Sequence, residues 1–309
     1  MSRLRSLVVF ACALLVGGVF IVAGVLKSLD VEGFARDIAL HKIIGPGLSA
    51  VAARVFVPFE IAVGAAAILG YRRRWAFGLL GASLVLFIGA TGWAWSQGNT
   101  EGCGCFGRFA SRTPLSVIVE DALLLAACGI GIVLAPRGAQ AGSGVPGASP
   151  SLETGPSRWR GVVVAGTLVA ATAFSLASPH LPIDRFATAL RPGVTLADLG
   201  LAQIAGNLDQ GDRLLAILVL DEDPSRKAVE GLNGLAQTPG VPPISGLTSA
   251  TEDKRAEFFF TYGSSFELLE VPSADLRRLY RRAPRVFRVH NGTVLRVWDT
   301  VPSAEELNR

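Results

Sequence analysis

The sequence predicts a membrane α-helical bundle followed by an α/β domain. Half of its 309 residues are hydrophobic and only 17% are charged, with a mean hydropathy of +0.44, a composition of the membrane class rather than of an ordinary soluble chain. The apolar residues are also gathered into five long runs, at 6–26, 48–70, 75–96, 115–135 and 160–178. Each is about as long as a helix must be to cross a hydrocarbon core of roughly 30 Å. After the last run the pattern changes to strand-length apolar stretches alternating with helical spacing. A net charge of +4, with Lys and Arg scattered, leaves no basic patch for nucleic acid.

The first run is read as an uncleaved helix. "MSRLR" before an apolar stretch resembles a signal peptide, but the stretch is too long for an h-region and no A-x-A-like site follows it. "VFAC" at 9–12 resembles a lipoprotein cleavage site only faintly, because the apolar run continues well past Cys12.

Basic residues in the short loops set the orientation. Arg3 and Arg5, the "YRRRW" stretch at 71–75, and Arg137, Arg158 and Arg160 all fall on one side if the N-terminus is cytoplasmic. The loops 27–47 and 97–114, and everything after about residue 179, then lie outside. The expected location is the cell membrane, multi-pass, with the C-terminal domain extracytoplasmic. Residues 1–135 form a four-helix membrane domain. Residues 136–159, rich in Gly, Ser, Pro and Ala, read as a flexible cytoplasmic linker, and 160–178 as a fifth helix that anchors the C-terminal domain.

Within 180–309, "RLLAILVLD" (213–221) suits a strand buried on both faces. "PSRKAVEGLNGLA" (224–236) has helical spacing with Asp223 as its N-cap. A second strand is expected at 242–250 and a second helix at 251–263. "RVFRVHNGTVLRVWD" (285–299) alternates on either side of Asn291-Gly292, a hairpin signal, and a short acidic helix closes the chain.

Two of the four cysteines stand one residue apart in an outer loop, "EGCGCFG" at 101–107. Cys103 and Cys105 can close a small disulfide ring only if the backbone between them bends sharply, and Gly102, Gly104 and Gly107 supply that freedom. A ring so tight is strained, and strained exposed disulfides are the oxidising, exchange-prone ones. In an oxidising compartment the pair therefore suits electron exchange better than bracing. A static clip is the bland reading. A Cu(I) site with His41 of the other outer loop ranks lower, because only three ligands are visible on that side, and no metal is assigned.

"CGCFG", preceded by "WSQGNTEG" and followed by an apolar helix, resembles the signature of the MauE-type methylamine-utilisation membrane proteins, a branch of the DoxX-like four-helix group. The resemblance extends to "VLKSLDVEGFARDI" and "VPFEIAVGAAAILG" and covers roughly residues 7–135. Lys27, Pro58, Glu60, Cys103, Cys105 and Phe106 fall where that pattern places them. It implies a role in forming or correcting disulfides of an extracytoplasmic partner during its maturation.

Other polar residues near the spans have two readings each. Glu60 lies well inside the second span, where an ionisable group is a functional candidate by default, with an interhelical hydrogen bond as the equal alternative. Lys27, Arg54, Glu120 and Asp121 fall near outer span ends, where interfacial anchoring is the commoner explanation and a ring of charge around the cysteine loop the sharper one. Cys12 and Cys128 read as small buried apolar residues.

The C-terminal order of elements is similar to thioredoxin-like domains over roughly 195–307. That resemblance makes Pro284, just before the hairpin, the counterpart of the family's cis-proline. Where such a domain carries C-x-x-C, this chain reads "LDEDPSRK" (220–227), and no cysteine follows Cys128. Dithiol exchange by this domain is thereby excluded, and a groove beside Pro284 that holds an extended peptide is the remaining role.

The reading is a membrane thiol–disulfide oxidoreductase in which Cys103 and Cys105 pass electrons between a cysteine-containing client and another carrier, a separate thioredoxin-like protein or a quinone. The rival is a non-catalytic assembly factor that holds a client for another redox protein. A small-molecule transporter is weaker, since Glu60 alone is a thin substrate pathway.

Overall fold

Apolar runs of membrane-spanning length become the long helices of the first of two units in the computed structural model, Met1–Leu181 and Pro182–Arg309. The structure describes residues 3–98, 113–135, 156–201 and 208–307. In the first unit the helices are α1 (Arg3–Ser28), α2 (Val31–Leu40), α3 (Pro46–Leu69), α4 (Arg73–Ser96), α5 (Pro114–Leu134) and α6 (Pro156–Ala177). All but the short α2 are long and apolar enough to cross a bilayer. Loop chemistry sets their ends: Pro opens α3 and α5, and Gly70 closes α3 with a left-handed φ of 74°.

Small residues decide how α1 and α3 meet. A Cβ on Gly17 would stand 2.7 Å from the Gly64 carbonyl oxygen, one on Gly64 would stand 2.7 Å from that of Gly17, and one on Gly24 would strike Ile61 at 2.6 Å. Without hydrophobic force between helices in lipid, this close backbone approach supplies the packing. A second close contact seats Phe77 of α4 on Gly131 of α5. Val9, Ala13, Val16 and Phe20 of α1 pack with Ala67, Phe77, Leu80, Leu84 and Cys128 in one buried cluster.

Outward-facing Leu, Val and Trp complete a lipid-compatible surface. Trp75 and Trp93 are exposed at opposite ends of α4, which a rise of 1.5 Å per residue places about 27 Å apart, the spacing of interfacial aromatic belts. The fifth span, expected as an anchor, also packs against the other helices. α6 lies along α3, Ala171 joins the buried cluster of Val31, Phe34 and Val57, and Gly161 rests against the Tyr71 ring. A face of small residues (Gly161, Ala171) lets it pack as a bundle member.

The second unit is a five-stranded mixed sheet in the order β3-β2-β1-β4-β5. Its elements run α7 (Asp184–Ala187), β1 (Asp212–Ile217), α8 (Asp223–Ala236), β2 (Ile244–Thr248), α9 (Glu252–Tyr262), β3 (Glu267–Glu270), α10 (Ser273–Leu276), β4 (Arg285–His290), β5 (Thr293–Trp298) and α11 (Ala304–Leu307). β1, β2 and β3 are parallel, and β4 and β5 are antiparallel additions. The continuous apolar run of β1 is explained by burial on both faces. Leu215 and Ile217 enter the cluster that holds Leu190, Leu279 and Phe287, while Leu214 and Ala216 pack with Val229 and Leu232 of α8 and Phe258 of α9.

The hairpin turn is the expected one: Asn291 and Gly292 both have positive φ, 45° and 74°, which matches the right-handed twist of the flanking strands. Two details differ from expectation. β3 and α10 add a strand and a short helix between the second helix and the hairpin. Asp223 also stands inside α8 rather than capping it, and Glu222 occupies the cap without a side-chain hydrogen bond.

Candidate functional site

The glycine-lined approach of α1 and α3 brings two ionisable residues together inside the membrane unit. Lys27, in the last turn of α1, extends its Nζ to both carboxylate oxygens of Glu60 on α3, at 2.7 and 2.9 Å. Each side chain is only 1% exposed. The ammonium also lies over the rings of Phe34 of α2 and Phe87 of α4, 4.7 and 4.9 Å from their centroids. Two donors of the ammonium thus meet the carboxylate, and its remaining surface meets π-faces that attract cations. A charge taken from water into hydrocarbon is tolerated on such terms, paired and hydrogen-bonded.

This corrects the reading of Lys27 as an interfacial anchor. The pairing holds four elements, α1 to α4, at one end of the bundle. Pro58 lies buried inside α3, one turn's reach from Glu60. It removes the N–H that would bond the Arg54 carbonyl and so loosens the helix there. Arg54 itself is exposed, and Glu120 lies on an exposed face of α5 whereas Asp121 is buried. Cys12 and Cys128 are free thiols in one apolar cluster, Cys128 buried and Cys12 partly so.

Beside the ion pair is a cavity of about 310 Å³ whose walls include Phe34 and Ile38 of α2, His41 just after it, Phe56 of α3, and Phe87 and Thr91 of α4. α2 exists here because Asp30 caps it, accepting a hydrogen bond from the Gly33 N–H at 3.1 Å, while Val31 and Phe34 turn inward. His41 sits just beyond the last turn, its Nδ1 2.7 Å from the Asp37 carbonyl oxygen. A carbonyl only accepts, so Nδ1 carries the proton and Nε2 is left as an acceptor in the neutral ring. Among the described residues no group of three or more His, Cys, Asp and Glu side chains is arranged to hold a metal ion.

The cysteine loop, with Gly102, Cys103, Gly104, Cys105, Phe106 and Gly107, lies outside the described residues. α4 and α5 end and begin on either side of it. In the second unit the Ala283–Pro284 peptide bond is cis and immediately precedes β4. Around it, Arg281 and Arg285 are buried, with Arg281 Nη1 3.4 Å from Asp184 Oδ2 and Arg285 Nη1 2.9 Å from Thr188 Oγ1.

Residues 5–134 match the family described as methylamine utilisation protein MauE. Over that stretch, less than half of the chain, the protein is similar to MauE. The matched stretch contains the Lys27–Glu60 pair, every wall of the cavity and the loop with Cys103 and Cys105, and the protein is a multi-pass membrane protein. No curated protein matches the chain. The second unit falls outside the MauE match.

Sequence reasoning missed the partnership of Lys27 with Glu60, the two rings beside it and the role of Thr91 and His41 in a shared wall. One signal was present. Two ionisable residues of opposite sign in otherwise apolar spans are expected to find each other.

Proposed function

We propose that this protein is a membrane thiol–disulfide redox protein of methylamine utilisation, which forms, reduces or isomerises disulfides of an extracytoplasmic partner during its maturation. Cys103 and Cys105 cycle between dithiol and disulfide and carry the exchange. The observation that carries this reading is the MauE match across a stretch whose outer loop holds the C-x-C pair. The N-terminus is cytoplasmic, and the loop and the second unit share the extracytoplasmic side.

In this reading the second unit is a thioredoxin-like domain that has lost its own chemistry. Its mixed sheet, with Pro284 just before β4, supports a peptide-holding surface beside that residue. The acidic turn Asp221–Asp223 stands where a redox-active member would carry cysteines. Lys27 and Glu60 brace the bundle end from which the loop departs, and Pro58 softens α3 next to them.

The absence of any cysteine after Cys128 favours a second reading, a non-catalytic assembly factor that holds a client for another redox protein. Replacing Cys103 and Cys105 together by Ser separates the two. The exchange reading requires that a client mature without its disulfides in that variant, and the assembly reading requires maturation at the normal level. Deleting residues 182–309 tests the holding role: unchanged client oxidation would remove it.

A further inference from the structure

We propose that the ends of α3, α4 and α6 that meet at Gly70 form a binding site for the phosphate of an anionic phospholipid headgroup. The site is separate from the cysteine chemistry and stands on two arginines of different helices.

Arg73, the first residue of α4, and Arg160, in the first turns of α6, converge on one point. A Cβ on Gly70 would lie 2.9 Å from Arg73 Nη2 and 3.5 Å from Arg160 Nη1, so the glycine that closes α3 leaves room for both guanidinium groups. Arg73 is held there by the end of α3. Its Nε donates to the Ala67 carbonyl at 3.3 Å and its Nη2 to that of Ile68 at 3.5 Å, at the carbonyl end of a helix, which attracts a cation. Those bonds use two of its five donors, and three remain. Arg160 lies over the Trp159 ring, 5.6 Å from its centroid. Neither arginine has an ion-pair partner among the described residues. No acidic residue falls in the last two turns of α3 or the first two turns of α4 and α6, where Arg74 and Arg158 stand instead. Two like charges drawn together with no carboxylate between them repel, and a bound anion offsets that cost.

Depth, shape and charge choose the ligand. Trp75 and Trp159, chain neighbours of Arg74 and Arg160, are both exposed, and exposed tryptophans mark the headgroup level of a bilayer, where phospholipid phosphates lie. A guanidinium is a planar fork that grips phosphate oxygens in pairs. A headgroup that also carried an ammonium or choline would bring a third cation to the spot, so a phosphate without one, as in phosphatidylglycerol, is selected. Basic residues at span ends also fix a chain's orientation. That role needs only a count of charges, which lysines would fill, and not two guanidinium groups of different helices aimed at one point.

The test uses the full chain in detergent, titrated with phosphatidylglycerol or phosphatidylcholine of identical acyl chains, with bound lipid read by native mass spectrometry. Phosphatidylglycerol is expected to bind more tightly, and R73Q/R160Q to weaken it by about tenfold or more, as loss of charge-assisted hydrogen bonds implies. R73K/R160K keeps both charges and is expected to weaken it by a smaller factor, because an ammonium lacks the fork. R54Q, at an exposed arginine in the other half of α3, is expected to leave it unchanged. Thermal unfolding establishes that each variant is folded, and the lysine variant carries the test alone if the glutamine one is not. Equal binding of the two lipids, equal loss in R54Q, or wild-type affinity in R73K/R160K would overturn the site. Displacement of phosphatidylglycerol by inorganic phosphate in large excess would overturn the lipid assignment and leave a site for a soluble anion.

Discussion

Lys27 Nζ lies 2.7 and 2.9 Å from the two oxygens of Glu60, in a pair whose side chains are each only 1% exposed and which is capped by the rings of Phe34 and Phe87. The two residues are 33 apart in sequence, so the pair ties α1 to α3 at the end of the bundle where α2 and the cavity sit.

Removing one partner strands the other charge in an apolar interior. Lys27→Met or Glu60→Leu alone is expected to destabilise the bundle by about 3–5 kcal/mol, whereas the double variant recovers most of that loss. Unfolding of detergent-solubilised protein by graded denaturing detergent, with all three variants compared, measures it. Additive losses would mean that the two residues act separately.

The glycine contacts between α1 and α3 make a paired prediction. Gly64→Val introduces a side chain where a Cβ already meets the Gly17 carbonyl oxygen at 2.7 Å, and is expected to destabilise the bundle by about 1–3 kcal/mol or more. Gly18→Ala, one residue from Gly17 on α1, meets nothing within 4 Å and is expected to be neutral. Melting temperatures by fluorescence-detected gel filtration compare them, and equal effects would contradict the packing described.

In the second unit, hydrogen bonds first from Arg288 and then from His290 hold the Asp212 carboxyl below the usual carboxylate range. A depressed folded-state value contributes stability that is present above the unfolded value, near pH 4, and is lost as pH falls through the folded one. Thermal unfolding of the second unit within the intact protein is therefore expected to become easier below about pH 4. Asp212→Asn should flatten that part of the profile, and an unchanged profile would show that the carboxylate's partners do not matter.

Much of this was legible. The five spans announce themselves because a bilayer demands long uninterrupted apolar runs. β1 was legible as a strand buried on both faces, and Asn291-Gly292 as a turn, because each states a local physical requirement. α2 was not read, although its signals are there: Asp30 as cap, then Val31, Phe34, Ala35 and Ile38 at helical spacing within what looked like an outer loop. β3 is only four residues long and partly exposed, so its place at the sheet edge follows from pairing with β2 rather than from its own pattern. The partnership of Lys27 with Glu60 is a tertiary event between helices. Sequence placed each near lipid without saying which neighbour would neutralise it.

The state of Cys103 and Cys105 tests the central claim most directly. Free thiols in native membranes are alkylated before and after reduction, and the loop peptide is weighed. The exchange reading predicts an oxidised pair that becomes reduced when a reduced, unfolded cysteine-containing peptide is added, or the reverse if electrons flow outward. Two thiols that stay free under oxidising conditions and unchanged by the peptide would contradict it.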